Sequence, residues 1–210
     1  NPSDGLTIED NADLQLFERP SMNVGYLGLT VTREPFDNKL VRQAMNYAID
    51  KQSIIDAFFE GRADIAVNPI PPSISGYNDE IEGYEYNPEK AKELLEEAGY
   101  GDGFDMELWA MPVPRPYMPD CGKVAEVIQK NLADVGITAE IKSFEWATYL
   151  DLASKGEADA FMLGWTGDNG DADNFLYVLL DEDNIGSNNY TYFKNDEMHD
   201  LFIAAQSEVD

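Results

Sequence analysis

Between residues 104 and 164 the hydrophobic period switches repeatedly between two and 3.6, and this restricts the chain to an α/β layer. Phe104, Met106, Leu108 and Ala110 alternate with Asp105, Glu107 and Trp109, as in a strand with one apolar face. A helical stretch over residues 120–135 stops at Gly136, and Ile137, Ala139 and Ile141 then alternate with Thr138, Glu140 and Lys142 in the next strand. The pattern predicts a short helix over 146–155 and a strand over 158–164. Strands separated by helices favour an α/β sheet whose ligand loops lie at the strand ends.

The first half supplies the covering helices. Residues 23–31 are rich in strand formers and predict a buried strand. Val41, Ala44, Met45 and Ala48 recur at helical spacing from about Asn38, and Asp50 is placed to cap a second helix that carries Ile54, Ile55, Phe58 and Phe59 to Gly61. Residues 62–85 form a long loop punctuated by proline and glycine, a length that marks function or contact with another part of the protein. The next helix has the sharpest signals: Asn87 as cap, Pro88 at the first helical position, Ala91, Leu94, Leu95 and Ala98 on one face, and Gly99 as stop. Helices are further predicted over 174–180 and 195–207. Residues 1–22 have weak periodicity and are expected to be irregular, with Ile8, Leu14, Leu16 and Phe17 able to dock.

Charge narrows the partners. The chain holds 41 acidic and 14 basic residues among 210, a formal net charge of -27, which argues against nucleic acid or an anionic membrane surface. Such an excess on an ordinary globular pattern suggests a salt-adapted surface, whose self-repulsion salt would screen. The single cysteine, Cys121, excludes an internal disulfide and a thiolate-rich metal site. No apolar stretch reaches the ~20 residues of a membrane span. The first residues lack the features of a signal peptide, so the chain is expected to start after processing or within a longer protein.

Two charges stand apart from the rest. Arg115 is held between Pro114 and Pro116, which keep the backbone extended and remove amide donors, so the guanidinium is presented from a stiff loop. Its planar fork matches a carboxylate in a way that lysine cannot. A surface ion pair with one of the many acids is the plainer alternative. Asp168 follows a predicted strand end within a run containing Gly164, Gly167 and Gly170, where the backbone can approach a ligand and a carboxylate can accept from an ammonium group. The alternatives are a turn in which Asp168, Asn169 and Asp171 satisfy their own amides, or a calcium loop, for which the order of acids and the closing glutamate are wrong.

Together a cation and an anion suit a zwitterion. The termini of an extended dipeptide lie about 6–7 Å apart at ~3.5 Å per residue. A tripeptide would misplace one charge by ~3.5 Å, and an unpaired buried charge costs roughly 2–5 kcal/mol. Other candidates carry less. Trp109 and Trp146 read as core or cleft-wall aromatics, with Trp146, beside Glu145, the better placed for a cleft. His199, the single histidine, has no nucleophile motif near it, and the glycines at 99, 101 and 103 follow a helix and precede a strand, the wrong order for a dinucleotide loop.

Several blocks resemble a known family: Val41-Arg-Gln-Ala-Met45 through Asp50, Asn68-Pro-Ile-Pro-Pro72, Tyr86-Asn-Pro-Glu89 through Leu95, and the Arg115 and Asp168 runs. From about Met22 onward the chain is similar to family 5 of the extracytoplasmic solute-binding proteins, which serve peptide, nickel and oligopeptide ABC importers, and in its two charged runs to the dipeptide-binding branch. The resemblance implies a periplasmic-binding-protein-like lobe of the class II type, with a mixed sheet flanked by helices. It implies that Arg115 holds a peptide carboxylate and Asp168 the amino group, with Trp146 and Trp165 beside them, and that no catalytic residue, metal or cofactor takes part. Residues 1–22 would then be a lead-in from a preceding lobe, and 23–210 a second ligand-binding lobe cut before its end. The implied partners are a dipeptide or short peptide, a membrane ABC permease and the N-terminal lobe of the same protein, in a periplasmic or extracytoplasmic setting. A binder of longer peptides or another small solute is the rival within the family. A metal-dependent hydrolase using the Asp168 cluster is the rival outside it.

Overall fold

A computed structural model describes residues 4–208. Four strands form one mixed sheet in the order β1-β4-β2-β3, where β1 is Asn23–Leu29, β2 Phe104–Trp109, β3 Ile137–Lys142 and β4 Ala160–Thr166. Strands β2, β3 and β4 run parallel, and β1 pairs antiparallel along the whole of β4, from Asn23 opposite Thr166 to Leu29 opposite Ala160. The carboxyl ends of the three parallel strands therefore share one edge with the start of β1.

The helices are α1 (Asp4–Glu9), α2 (Lys39–Ala48), α3 (Lys51–Phe59), α4 (Pro88–Glu97), α5 (Cys121–Ala133), α6 (Trp146–Ser154), α7 (Asp173–Leu180) and α8 (Asp196–Ala205). Their starts are set by local chemistry. Asn38, Asp50, Asn87, Asp120 and Asn195 each turn a side-chain oxygen onto a free amide of the first turn, 2.9–3.2 Å away. Such caps stabilise a helix by ~1 kcal/mol each. Helix α5 lies along β3 and β2, and α2 packs on α4. Val41, Met45, Leu95, Val124, Leu132 and Ile137 are almost wholly buried in the core so formed.

Two expectations require correction. Within the stretch expected to be irregular, Asp4–Glu9 is a short helix, and the segment is tied down by Arg62, which pairs with Glu9 and Glu18. The fourth strand runs from 160 to 166, two residues later than its apolar pattern suggests. Asp159 is drawn into the turn before it, accepting from Arg33 at 2.7 Å and from the Glu107 amide at 2.9 Å. At the other end, pairing to β1 carries the ladder through Trp165 and Thr166.

The offset between β2 and β4 shapes the edge. Only Leu108 and Trp109 pair with β4, opposite Ala160 and Phe161, so β4 continues five residues beyond its neighbour. Tyr149 of α6 fills the fork. Its hydroxyl lies 3.0 Å from the Trp109 carbonyl and 2.9 Å from the Met162 carbonyl, and accepts from the Met162 amide at 3.2 Å. Its ring is completely buried, and burial drives the phenol pKa far upward, so the group remains a neutral donor.

A second, smaller cluster lies apart from the main core. The loop between α3 and α4 has no regular structure, yet Ile70 and Ile74 are buried in it and pack with Val24 and Phe175. Through these contacts the loop supports the β1 and α7 side of the edge.

Candidate functional site

Past the end of β2 the chain passes over the extension of β4 and turns back at Arg115. The Arg115 and Met118 backbones exchange two hydrogen bonds, at 3.1 and 2.9 Å, closing a tight turn that the flanking prolines prevent from extending into the sheet. The turn rests on two glycines. A side chain on Gly25 would meet the Tyr117 carbonyl at 2.5 Å, and one on Gly164 would meet the Tyr117 ring at 2.3 Å, so only bare backbone in β1 and β4 lets the turn lie this close.

The Arg115 guanidinium stacks over Trp146, 4.9 Å from the ring centroid. Trp146 opens α6 just after β3 and is itself stacked on Tyr149 at an interplanar angle of 17°. The aromatic face holds the cation, whose N–H edge is the part that grips a carboxylate. Tyr117 touches the guanidinium through its phenol oxygen; burial raises the phenol pKa, and Arg115 opposes that rise. No carboxylate of the described residues pairs with Arg115, whereas Arg33 and Arg62 are both ion-paired. The expectation of an ordinary surface ion pair therefore fails for this arginine.

Asp168 lies at the same edge, just beyond β4. The competing turn model holds for its neighbours and not for Asp168. Asn169 accepts from the Asp171 amide at 3.1 Å and Asp171 from the Asp173 amide at 2.9 Å, whereas the exposed Asp168 carboxylate accepts no hydrogen bond from the described residues. Its backbone amide is held instead, donating to Asn174 Oδ1 at 3.1 Å, and the same oxygen accepts from Trp165 Nε1 at 3.1 Å. Beneath the loop Phe175 is fully buried, and its ring lies where any side chain on Gly167 would fall, 2.5 Å away.

Arg115 and Trp146 thus form one unit, Trp165 and Asp168 another, and Tyr117 against Gly164 joins them. All four half-buried or exposed side chains stand at the carboxyl edge of the parallel strands, the place where open α/β sheets bind ligands. No direct polar contact links Arg115 to Asp168. Two surface hollows lie at the opposite edge, one lined by Lys92, Glu96, Gly99, Asp102 and Gly136 and the other by Gln129, Lys130 and Thr138.

The remaining candidates resolve plainly. Trp109 is core, 3% exposed, with Nε1 donating to Glu107 at 2.8 Å. Cys121 is buried, accepts from the Met111 amide at 3.1 Å, and has its thiol pKa pushed up to about 11 by desolvation, which makes it inert. Among the described residues, metal-type donor atoms gather within 4.8 Å only at Asp181, Asp183 and His199, away from Asp168. A hydrolytic metal centre built on the Asp168 cluster has no support from this geometry. Asn174 and Tyr117 went unnoticed in the sequence. Asn174 reads there as the start of a helix, and an asparagine in a first turn gives no sign that its side chain reaches back to the preceding strand.

The model of the bacterial extracellular solute-binding proteins, family 5 middle region, matches residues 1–187. The chain is 48% identical over 180 residues to the dipeptide-binding protein of Escherichia coli, an alignment covering 86% of this chain and 34% of that protein. It is 45% identical over 205 residues to heme-binding protein A of Haemophilus influenzae, covering 98% and 38%. The crystal structure of a Pseudoalteromonas dipeptide binding protein in complex with Met-Leu superposes with a TM-score of 0.91 at 33% identity, covering 99% of this chain and 41% of that one. The chain therefore spans little more than a third of the length of the proteins it resembles. No helix of the described residues is long and apolar enough to cross a membrane.

Proposed function

The chain belongs to family 5 of the bacterial extracellular solute-binding proteins, and from that premise we propose that it is the ligand-gripping lobe of a dipeptide receptor for an ABC importer. Arg115 takes the peptide carboxylate and Asp168 the ammonium, with Trp146 and Trp165 as walls against which side chains of many kinds can rest. Residues 1–22 lead in from a preceding lobe and 23–210 belong to the second. Closure of the two lobes around the peptide then distinguishes loaded from empty receptor for the permease, with no chemical step. The setting is extracytoplasmic.

The observation that carries this reading is the placement on one sheet edge of Arg115, held over Trp146 without a carboxylate partner among the described residues, and Asp168, whose carboxylate accepts no hydrogen bond from them. An open edge bearing such charges is what one wall of a cleft presents. The names of the relatives agree in part: two are called dipeptide-binding and one heme-binding. The test is calorimetric titration of the intact protein with a dipeptide, its tripeptide homologue and its N-acetylated form. Arg115→Ala or Asp168→Asn is expected to weaken dipeptide binding at least ~10-fold, as loss of one partner of a buried charge pair requires. Unchanged affinity in both variants refutes the assignment, and preference for longer peptides transfers it to the oligopeptide binders.

A further inference from the structure

The Asp168 run is rich in glycine and short polar residues, and such a segment does not hold a carboxylate in a fixed direction by itself. Two contacts anchor it beside Asp168: the Gly167 amide donates to the Met22 carbonyl at 2.7 Å, and the Asp168 amide donates to Asn174 Oδ1. That oxygen has two lone pairs, and both are used: one takes the Asp168 amide and the other the Trp165 indole N–H, each at 3.1 Å. Asn174 is itself immobilised. It lies in the first turn of α7, its amide donates to the Asp171 carbonyl at 3.3 Å, and the adjacent Phe175 is fully buried beneath Gly167. The helix has no side-chain cap at Ala172, so this polar side chain is directed at the strand and not at its own helix terminus.

We infer that Asn174 is a positioning residue that fixes the direction of the Asp168 carboxylate relative to the Trp165 ring, and so sets the ammonium end of the ligand site. This rests on the dipeptide reading above. Asn174 does not touch the ligand; it acts through Asp168.

A double-mutant cycle in the intact protein separates this role from general support of the fold. Asn174→Ala is expected to weaken dipeptide binding roughly tenfold, the value of about one well-placed hydrogen bond, and to cost almost nothing further in an Asp168→Asn background. Asn174→Asp, which keeps the acceptor oxygen, is expected to recover most of the loss. If Asn174→Ala does not fold, Asn174→Gln, with its oxygen displaced by one methylene, takes its place in the cycle. Equal losses in both backgrounds, or an Asp variant as weak as alanine, overturn the inference. If Asp168→Asn weakens binding while changes at 174 do not, this inference alone fails. If Asp168→Asn is also without effect, the dipeptide reading fails and takes the inference with it.

Discussion

Replacing Tyr149 by phenylalanine removes one oxygen from the most constrained point of the sheet. The ring keeps its stacking on Trp146 and its edge contact with Trp109, so packing is conserved. What is lost is the hydroxyl that closes the fork between β2 and β4. The Met162 amide loses its acceptor, and the Trp109 and Met162 carbonyls lose the single proton they share. Tyr149 has no exposure, so water does not substitute. One donor and one acceptor left unsatisfied at about 1–3 kcal/mol each place the destabilisation at about 2–6 kcal/mol. Urea unfolding of wild type and variant measures it, with an unchanged denaturant slope confirming that the native surface is the same. Amide exchange supplies a local readout, because the Met162 N–H is expected to lose protection before its neighbours in β4. A loss below about 1 kcal/mol, with Met162 still protected, would show that the fork closes without the hydroxyl.

Two other expectations follow from named contacts. Gly164→Ala puts a methyl group 2.3 Å from the Tyr117 ring and 2.5 Å from the Val24 carbonyl, so the Arg115 turn must lift. A cost of about 1–3 kcal/mol in urea unfolding, with a change in tryptophan fluorescence, is expected. His199 Nδ1 lies 3.0 and 3.2 Å from the two oxygens of the buried Asp181 carboxylate, and this hydrogen bond, reinforced by Asp183 and Glu182, raises the imidazole pKa above 6.5. A raised folded pKa means that the native state binds the proton more tightly, so the contribution is complete below pH 6.5 and is lost as pH rises through the raised value. Unfolding midpoints measured against pH are expected to decline over that interval in wild type and to flatten in His199→Gln.

Much of this fold was legible because its signals are local. The Asn87–Pro88 start and the caps at Asn38 and Asp50 act over three or four residues, and the alternating apolar residues of β2 and β3 state their period directly. Arg115 and Asp168 stand out in the sequence as candidate site residues because proline and glycine around a lone charge are unusual, and the structure brings the two to one sheet edge. The rest depends on contacts distant in sequence. That β4 runs past β2 is decided by Asp159 pairing with Arg33 and by the register with β1, neither of which a window of ten residues contains. Stacking of Arg115 on Trp146 joins loops after two different strands, and the link from Asn174 to Trp165 runs backward from a helix to a strand.

The division of the apolar interior into two clusters bears on how such a site can change over generations. Arg115 and Trp146 are founded on the main core through Met118, Trp109 and Tyr149, whereas Trp165 and Asp168 stand on the small group formed by Val24, Ile70, Ile74 and Phe175. Substitutions in the long loop that supplies Ile70 and Ile74 act first on the small cluster and reach the larger core through Tyr26, which packs against both. Under the dipeptide proposal, a change at the ammonium end of the ligand is thereby partly separated from survival of the fold.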